Sequence, residues 1–128
     1  MNATLSRRTF PKSSRLLKRG EFRRVYDEGQ RRSGSLCAAF FRPNGLALTR
    51  LGITVPARVG GAVIRNRLKR RLREVFRLHR TALPPGWDIV LNPRPAATGA
   101  PFASLEKELM RLFPNQPPQP AQKENQQP

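Results

Sequence analysis

The sequence predicts an α+β domain: a small two-layer α/β sandwich in the order α-β-β-β-α-β-α, with helices packed on one central sheet. Three observations support this class. Apolar residues recur at helical spacing in three segments, short apolar or β-branched runs lie between them, and Pro or Gly marks the junctions. At 128 residues, the chain has room for one such domain.

The first helix is predicted within residues 15–28. Phe22, Val25 and Tyr26 recur there at helical spacing, and Gly29 follows as a helix stop signal. The pattern is clearest after Gly20.

The next two segments have the character of strands. Residues 36–42 and 46–55 are apolar and partly β-branched, and the turn-forming residues 43–45 separate them. We therefore expect a hairpin, with its second run bent or broken near Arg50.

A long basic helix is predicted next, opened by Gly60-Gly61 and stopped by residues 84–86. Six of the nine residues in 65–73 are Arg or Lys. The predicted core face carries Ile64, Leu68, Leu72, Val75 and Phe76. The opposite face carries Asn66, Lys69, Arg70, Arg73, Arg77 and Arg80, and the flanks of the apolar stripe carry Arg65, Arg67 and Arg71.

The remaining elements are a short strand at 87–91 and a final amphipathic helix at 102–113, with a loop between them. Apolar residues of that helix share one face: Phe102, Leu105, Leu109, Leu112 and Phe113.

The charge of the chain indicates a polyanionic partner. There are 25 Lys and Arg against 8 Asp and Glu, for a net charge of +17 and a pI near 11.9. Nucleic acid is the leading partner. A polybasic membrane-surface protein is the alternative, but no helix combines a wide apolar face with lysines at its rim. A merely solvated basic face would ordinarily mix charge signs, whereas the basic helix offers only Glu74.

These features divide the chain into a basic disordered tail (1–14), a nucleic-acid-binding α/β sandwich domain (15–113) and a Pro/Gln-rich disordered tail (114–128). No run is apolar enough for a signal peptide or a membrane span, so we expect a cytoplasmic protein without a membrane partner.

The titratable residues argue against self-sufficient catalysis. The acids are scattered, and a lone Cys37 with a lone His79 provides no transition-metal site. Cys37 is predicted to be a small buried strand residue, and His79 a polar residue at its helix end. Gly60-Gly61 lacks the spacing of a phosphate-binding loop. We predict a binder with no protein-held metal and no small-molecule substrate.

The run LGITVPARVGGAVIRNRLKRRLREVFR resembles the signature of the bacterial ribonuclease P protein component, whose basic helix opens with an Arg-Asn-Arg element, here residues 65–67. The segments RLLKRGEFRRVYDEG and WDIVLNPRPA resemble the family's first helix and last strand, and Phe40-Phe41 match an aromatic position in its first strand. The resemblance covers residues 15–113.

The resemblance implies a protein subunit of an endoribonuclease. In that family a catalytic RNA performs the Mg²⁺-dependent removal of the 5′ leader from precursor tRNA, and the RNA holds most of the metal. The expected partners are that RNA and precursor tRNA. The expected catalytic-RNA contacts are Arg65, Asn66, Arg67, Lys69, Arg70 and Arg73. The expected leader cleft is Phe22, Tyr26 and Phe40, and further candidate phosphate contacts are Arg23, Arg58 and Arg94.

Some positions depart from the family pattern. The family shows Ser-Lys-Lys and Gly-Asn-Ala where this chain has residues 56–58 and 60–62, so one cation and one amide are missing. Phe40 lacks the hydroxyl of the Tyr found in some members.

Two other functions remain open from the residues alone. A structural RNA-binding protein of the ribosomal type would carry similar charge, and a metal nuclease would cleave RNA without an RNA partner. Phe22 and Tyr26, one helical turn apart, could also simply be core residues.

Overall fold

The computed structural model describes residues 14–16 and 18–118. Its elements are α1 (Arg19–Glu28), β1 (Gln30–Ser33), β2 (Cys37–Pro43), β3 (Arg50–Ile53), α2 (Ala62–His79), β4 (Trp87–Pro93) and α3 (Phe102–Leu112). Short 3-10 turns lie at Ala57–Val59, Arg80–Ala82 and Pro95–Gly99. The predicted α+β class and element order are confirmed.

The four strands form one sheet in the order β1-β2-β4-β3. β2 pairs antiparallel with both β1 and β4, whereas β3 pairs in parallel with β4. The predicted hairpin between β2 and β3 is therefore wrong, because β4 lies between them. β4 runs beside β2 over its full length, from Cys37 opposite Pro93 to Pro43 opposite Trp87, and this distant pairing outweighs the local turn.

The strand boundaries also differ from those predicted. β1 lies in a segment that has no apolar alternation and is exposed throughout, so only its pairing with β2 reveals it. Residues 46–49 form a loop instead of a strand. The side chain of Asn44 organises this loop by accepting a hydrogen bond from the backbone N–H of Leu46 at 2.7 Å.

The first helix is shorter than predicted. Residues 15–16 run beside β3, where the backbone N–H of Leu16 donates to the Leu51 carbonyl at 3.0 Å. The helix ends before Gly29, as predicted. A Cβ at Gly29 would lie 2.7 Å from the Phe41 carbonyl oxygen of β2, so the close approach to β2 requires glycine.

The larger core lies between the sheet and the two helices α2 and α3. Its fully buried residues come from alternate positions of the strands and from the helix stripes: Phe41, Leu51, Leu68, Leu72, Val75, Phe76, Ile89, Leu91, Leu105 and Leu109. Ile64 departs from the prediction, since it is 44 % exposed. It lies in the first turn of α2 and borders a shallow groove with Thr98 instead of the core.

Among the described residues, the opposite face of the sheet is covered by α1 and by Leu16 of the segment before it. Val25 of α1 is buried against Val90 of β4, and Phe22, Tyr26 and Phe40 pack around them while staying half-buried. The two-layer description therefore fits the sheet with α2 and α3, and α1 adds a partial third layer.

Glu108 of α3 is a buried carboxylate that organises the β1–β2 turn. It accepts hydrogen bonds from the backbone N–H groups of Leu36 and Cys37, each at 2.8 Å. Cys37 is fully buried, as predicted. Burial, and then the charge of Glu108, raise the pKa of its thiol to about 12, so the thiol stays protonated and unreactive.

The packed domain extends beyond residue 113. Pro114 is buried, and the Trp87 indole N–H donates to the Gln116 carbonyl at 2.8 Å. The rest of the predicted tails, 1–13 and 119–128, lies outside the described residues. None of the described helices has the length and apolar character needed to cross a membrane.

Candidate nucleic-acid interface

The outward face of α2 carries a dense group of cations. Its exposed members are Asn66, Arg67, Arg70 and Arg73, and Arg65 and Lys69 are half-buried beside them. Arg67 and Arg70 form no hydrogen bond or ion pair with the described part of the chain. These side chains are therefore free to contact an anion, as the sequence pattern predicts.

Several cations of α2 also form bonds within the fold. The Arg71 guanidinium donates to the Ala100 carbonyl, which ties α2 to the loop before α3. Arg77 pairs with Glu74 at 2.6 Å. Arg65 donates through Nε to the Gly60 carbonyl at 3.0 Å, which positions the side chain at the start of the helix.

Like charges crowd one part of this face. Burial, and then the positive charge of Arg15, lower the pKa of the Arg73 guanidinium. Such crowding disfavours the free protein and is relieved when a polyanion supplies counter-charge. Phosphate groups would supply that counter-charge.

A groove of about 550 Å³ lies between α1, the end of β3 and α2. Its lining residues are Arg19, Phe22, Ile53, Thr54, Val55 and Lys69. The groove thus brings together Phe22, predicted for the leader cleft, and Lys69, predicted for the basic helix face. One concave surface offers both an aromatic ring and cations at its rim.

The Phe22 ring can approach the sheet closely because β3 has no side chain at Gly52. A Cβ at Gly52 would lie 2.6 Å from the Phe22 ring. Gly52 stands opposite Val90 in the parallel pair, and Val90 stands opposite Phe40. The apolar side of α1 therefore packs against this row of residues on the sheet.

The aromatic side chains continue along α1 from Phe22. Tyr26 meets Phe40 edge to face, with ring centroids 4.8 Å apart. The Tyr26 hydroxyl donates to Asn92 Oδ1 at 2.8 Å, and the Arg31 guanidinium lies 5.7 Å from the Phe40 ring centroid. Tyr26 and Phe40 keep partial exposure in this arrangement, so Phe22, Tyr26 and Phe40 combine core packing with an accessible surface.

A row of ion pairs holds α1 in place beside this surface. Arg50 of β3 makes a two-pronged pair with the buried Asp88 of β4, at 2.8 and 2.7 Å, and reaches Glu21 of α1 at 3.1 Å. Arg42 of β2 pairs with Glu28 at 2.8 Å. The bond with Asp88 contributes most to raising the pKa of Arg50. The helix that forms one wall of the groove is therefore anchored to two strand side chains, Arg50 and Arg42.

The other predicted phosphate contacts lie apart from the groove lining. Arg23 is exposed on α1, and Arg58 is exposed on the turn before α2. Arg94 is half-buried and donates through Nε to the Gly34 carbonyl at 2.9 Å, which helps to hold the β1–β2 turn. Arg94 therefore has a role in the fold in addition to its predicted one.

One departure from the family pattern lies at the start of α2. Gly61 occupies the N-cap position, where no side chain caps the helix. A Cβ at Gly61 would meet nothing within 4 Å. An Asn there would fit sterically, so the departure removes a polar group from an open surface without filling the space.

Sequence reasoning missed several residues of this surface: Arg19, Arg31, Thr54 and Asn92. Thr54 and Asn92 join the site only through strand pairing, and Arg31 approaches Phe40 because β1 pairs with β2. Of these four residues, Arg19 is the one that the sequence pattern could have indicated, because it lies one turn before Phe22 on the predicted helix.

The described residues contain no group of three His, Cys, Asp or Glu side chains placed to hold a metal ion. His79 instead meets Glu106 of α3 at 2.6 Å and joins two helices. Most acids of the described chain thus serve ion pairs and turns, and their placement does not fit a resident catalytic metal.

Comparison with known proteins identifies the family. A family model described as Ribonuclease P matches residues 10–116, which is most of the chain. The chain belongs to the ribonuclease P protein family.

Individual relatives agree with this assignment. The ribonuclease P protein component of Desulfosudis oleivorans is 44 % identical over 105 residues, covering 82 % of this chain and 87 % of that protein. The solved structure of the ribonuclease P protein from Thermotoga maritima superposes with a TM-score of 0.73 at 35 % identity, covering 77 % of this chain and 94 % of that one. The Staphylococcus aureus protein gives a TM-score of 0.73 at 28 % identity, covering 79 % and 93 %.

Family membership determines the general role of the chain. It is a protein subunit of ribonuclease P, the endoribonuclease that processes tRNA, and its partner is the ribonuclease P RNA, which performs the catalysis. The ribosomal-type and metal-nuclease alternatives are thereby set aside.

Proposed function

We propose that this ribonuclease P subunit binds the 5′ leader of precursor tRNA in the groove between α1, β3 and α2, while the exposed face of α2 binds the catalytic RNA. The main support for the proposal is that Phe22, Arg19 and Lys69 line the same groove. A single strand needs that combination, because its bases present flat apolar faces and its backbone presents phosphates.

The chemistry of the groove suits a leader of varied sequence. Aromatic side chains stack on any base, and such stacking contributes about 1–3 kcal/mol per base without reading its identity. Arg19 and Lys69 can contact backbone phosphates, which position a strand without specifying its sequence. The Tyr26–Asn92 hydrogen bond and the Gly52 contact hold the rings in fixed positions.

The face of α2 suits a folded RNA. Arg65, Asn66, Arg67, Lys69, Arg70 and Arg73 form the proposed contact set, and Arg58 and Arg23 would extend it on either side. Arginine gives strong, charge-assisted hydrogen bonds to phosphate. Asn66 both donates and accepts, so it can contact a sugar or a base edge. Lys69 lies where the two RNA surfaces meet.

Hydrolysis belongs to the RNA in this proposal, and so does the Mg²⁺ that it requires. The protein contributes by holding the leader and the catalytic RNA on neighbouring surfaces, which orients the substrate. A cytoplasmic site of action, as the sequence predicts, is part of the same proposal.

Leader cleavage at limiting magnesium tests the main claim. The assay uses precursor tRNA with the cognate catalytic RNA alone, with the protein alone, and with both. We expect cleavage to be stimulated only when both are present. Stimulation that is absent despite tight RNA binding, or cleavage by the protein alone, would contradict the proposal.

Binding measurements then test the groove. Phe22→Ala with Tyr26→Ala should weaken binding of precursor tRNA by about 10-fold or more, since stacked bases contribute about 1–3 kcal/mol each. Mature tRNA, which has no leader, should bind as before. Phe102→Ala, which truncates a half-buried ring on the opposite sheet face, is the matched control. Equal losses of affinity for precursor and mature tRNA would show that the leader does not bind in this groove.

The α2 face has its own test. Arg65→Ala and Arg67→Ala should weaken assembly with the catalytic RNA and flatten its salt dependence. For each phosphate contact that is lost, binding releases about one counterion fewer from the RNA. An unchanged slope of log affinity against log salt would show that these arginines do not meet RNA phosphates.

A further inference from the structure

A second pocket lies at the other end of α2, away from the Arg-Asn-Arg element. It has a volume of about 340 Å³, and its lining residues are Ser14, Ala47, Leu48, Thr49, Phe76, Arg80, Leu83 and Pro85. Most of this lining is apolar. The only charged group among the described lining residues is the Arg80 guanidinium, and no carboxylate is present to balance it.

The Arg80 guanidinium is incompletely satisfied. Its Nη1 atom is buried and has no hydrogen-bond acceptor among the described residues. Other partly buried arginines of the fold reach an acceptor, as Arg50 does with Asp88 and Arg71 with the Ala100 carbonyl. A buried charged donor without an acceptor is costly, so it indicates that a group outside the protein completes it.

The other polar groups define what can bind. The Thr49 hydroxyl donates to the Pro84 carbonyl at 2.7 Å and accepts from the Trp87 N–H at 3.1 Å. Its proton is therefore committed, and Thr49 fixes the wall of the pocket instead of serving a ligand. Arg80, with Ser14 on the same lining, remains to contact an anion.

We propose that this pocket binds one phosphate group of the RNA backbone, with Arg80 as the principal contact. Phosphate supplies the missing acceptor and the missing negative charge together. Leu48 and Pro85 are exposed at the pocket and offer apolar surface to the sugar beside that phosphate.

The position of Arg80 enlarges the RNA-binding surface of α2. Arg65 and Arg80 are fifteen residues apart, which at the helical rise corresponds to about 22 Å. An RNA that contacts both residues is held along the whole length of the helix. The inference depends on the catalytic RNA as partner and is independent of the leader groove.

Thermal unfolding with inorganic phosphate as the probe tests the site itself. Relative to chloride at equal ionic strength, phosphate should raise the Tm of the unaltered protein by roughly 2–5 °C, because a ligand bound only by the folded state stabilises it. Arg80→Met should abolish this increase. Lys107→Met, which removes an exposed cation of α3, should retain it. An equal increase of Tm in all three proteins would show that phosphate does not bind at Arg80.

Binding to the catalytic RNA tests the source of the phosphate. Arg80→Met should weaken binding by about threefold to tenfold and lower the salt slope by about 0.7–0.9, as expected for one lost phosphate contact. Lys107→Met again serves as the control. If Arg80→Met abolished the phosphate effect but left RNA affinity and slope equal to those of the control, the pocket would be a free-phosphate site and the RNA assignment would be wrong. Leader-dependent binding should not change in either variant, so the failure of one proposal is distinguishable from the failure of the other.

Discussion

The two faces of the sheet differ in how they are covered. The face toward α2 and α3 is closed by a continuous apolar core, in which residues such as Phe76, Leu72 and Leu109 have no exposed surface. The face toward α1 has a small buried cluster, built on Val25 and Val90, and is otherwise held by aromatic edges and ion pairs.

This difference separates stability from function. Burial of apolar surface is the main stabilising contribution to folding, so the closed face is expected to provide most of the stability. The open face leaves Phe22, Tyr26 and Phe40 half-buried and places cations beside them. A helix anchored by polar contacts at the edge of a groove can hold recognition residues in position without covering them.

The largest expected effect comes from truncating a ring on the closed face. Phe76→Ala should lower the free energy of unfolding by about 3–5 kcal/mol, because it leaves a cavity in a fully packed core. Phe22→Ala removes the same atoms from the open face and should cost only about 1–2 kcal/mol, because that ring is half-buried. Urea denaturation of both variants gives the comparison directly. Equal losses would mean that the open face is as important for stability as the closed one.

An intermediate effect is expected from the ion pairs that anchor α1. Among the described residues, Arg50→Met leaves the buried carboxylate of Asp88 with only the Asn44 amide as side-chain partner, and should cost about 2–4 kcal/mol. Arg42→Met is the matched control. Its partner Glu28 has a 57 % exposed side chain, so the loss should stay below about 1 kcal/mol. Chemical denaturation at neutral pH measures both, and similar losses would show that burial of Asp88 does not decide the strength of the anchor.

The smallest effect should come from the hydroxyl of Tyr26. Tyr26→Phe removes the hydrogen bond to Asn92 and should cost about 0.5–1.5 kcal/mol of stability. Precursor tRNA affinity should change by less than about twofold, because the ring that stacks on bases is retained. Tyr26→Ala, which removes the ring as well, should show the larger binding loss. A large binding loss in Tyr26→Phe would instead indicate that the hydroxyl itself contacts the leader.

Much of the candidate interface could be read from local pattern. The apolar stripe of α2 from Leu68 to Phe76, its cationic face and its start after Gly61 all follow from residues within a few turns of one another. The same holds for α3, whose predicted apolar residues Leu105, Leu109 and Leu112 are buried. The exposure of the Ile64 side chain could not be predicted from the local pattern, because it depends on which neighbouring element packs against the first turn of α2.

The sequence by itself thus determined the order of the three helices, the basic helix and the aromatic positions of α1, since these depend on spacing within single segments. Only the tertiary structure decided that β4 separates β2 from β3, that Lys69 shares a groove with Phe22, and that Arg80 lies beside Ser14 and Thr49. These arrangements join residues that are distant in the chain. They follow from the pairing and packing that bury the most apolar surface and satisfy backbone hydrogen bonds, which no local pattern specifies.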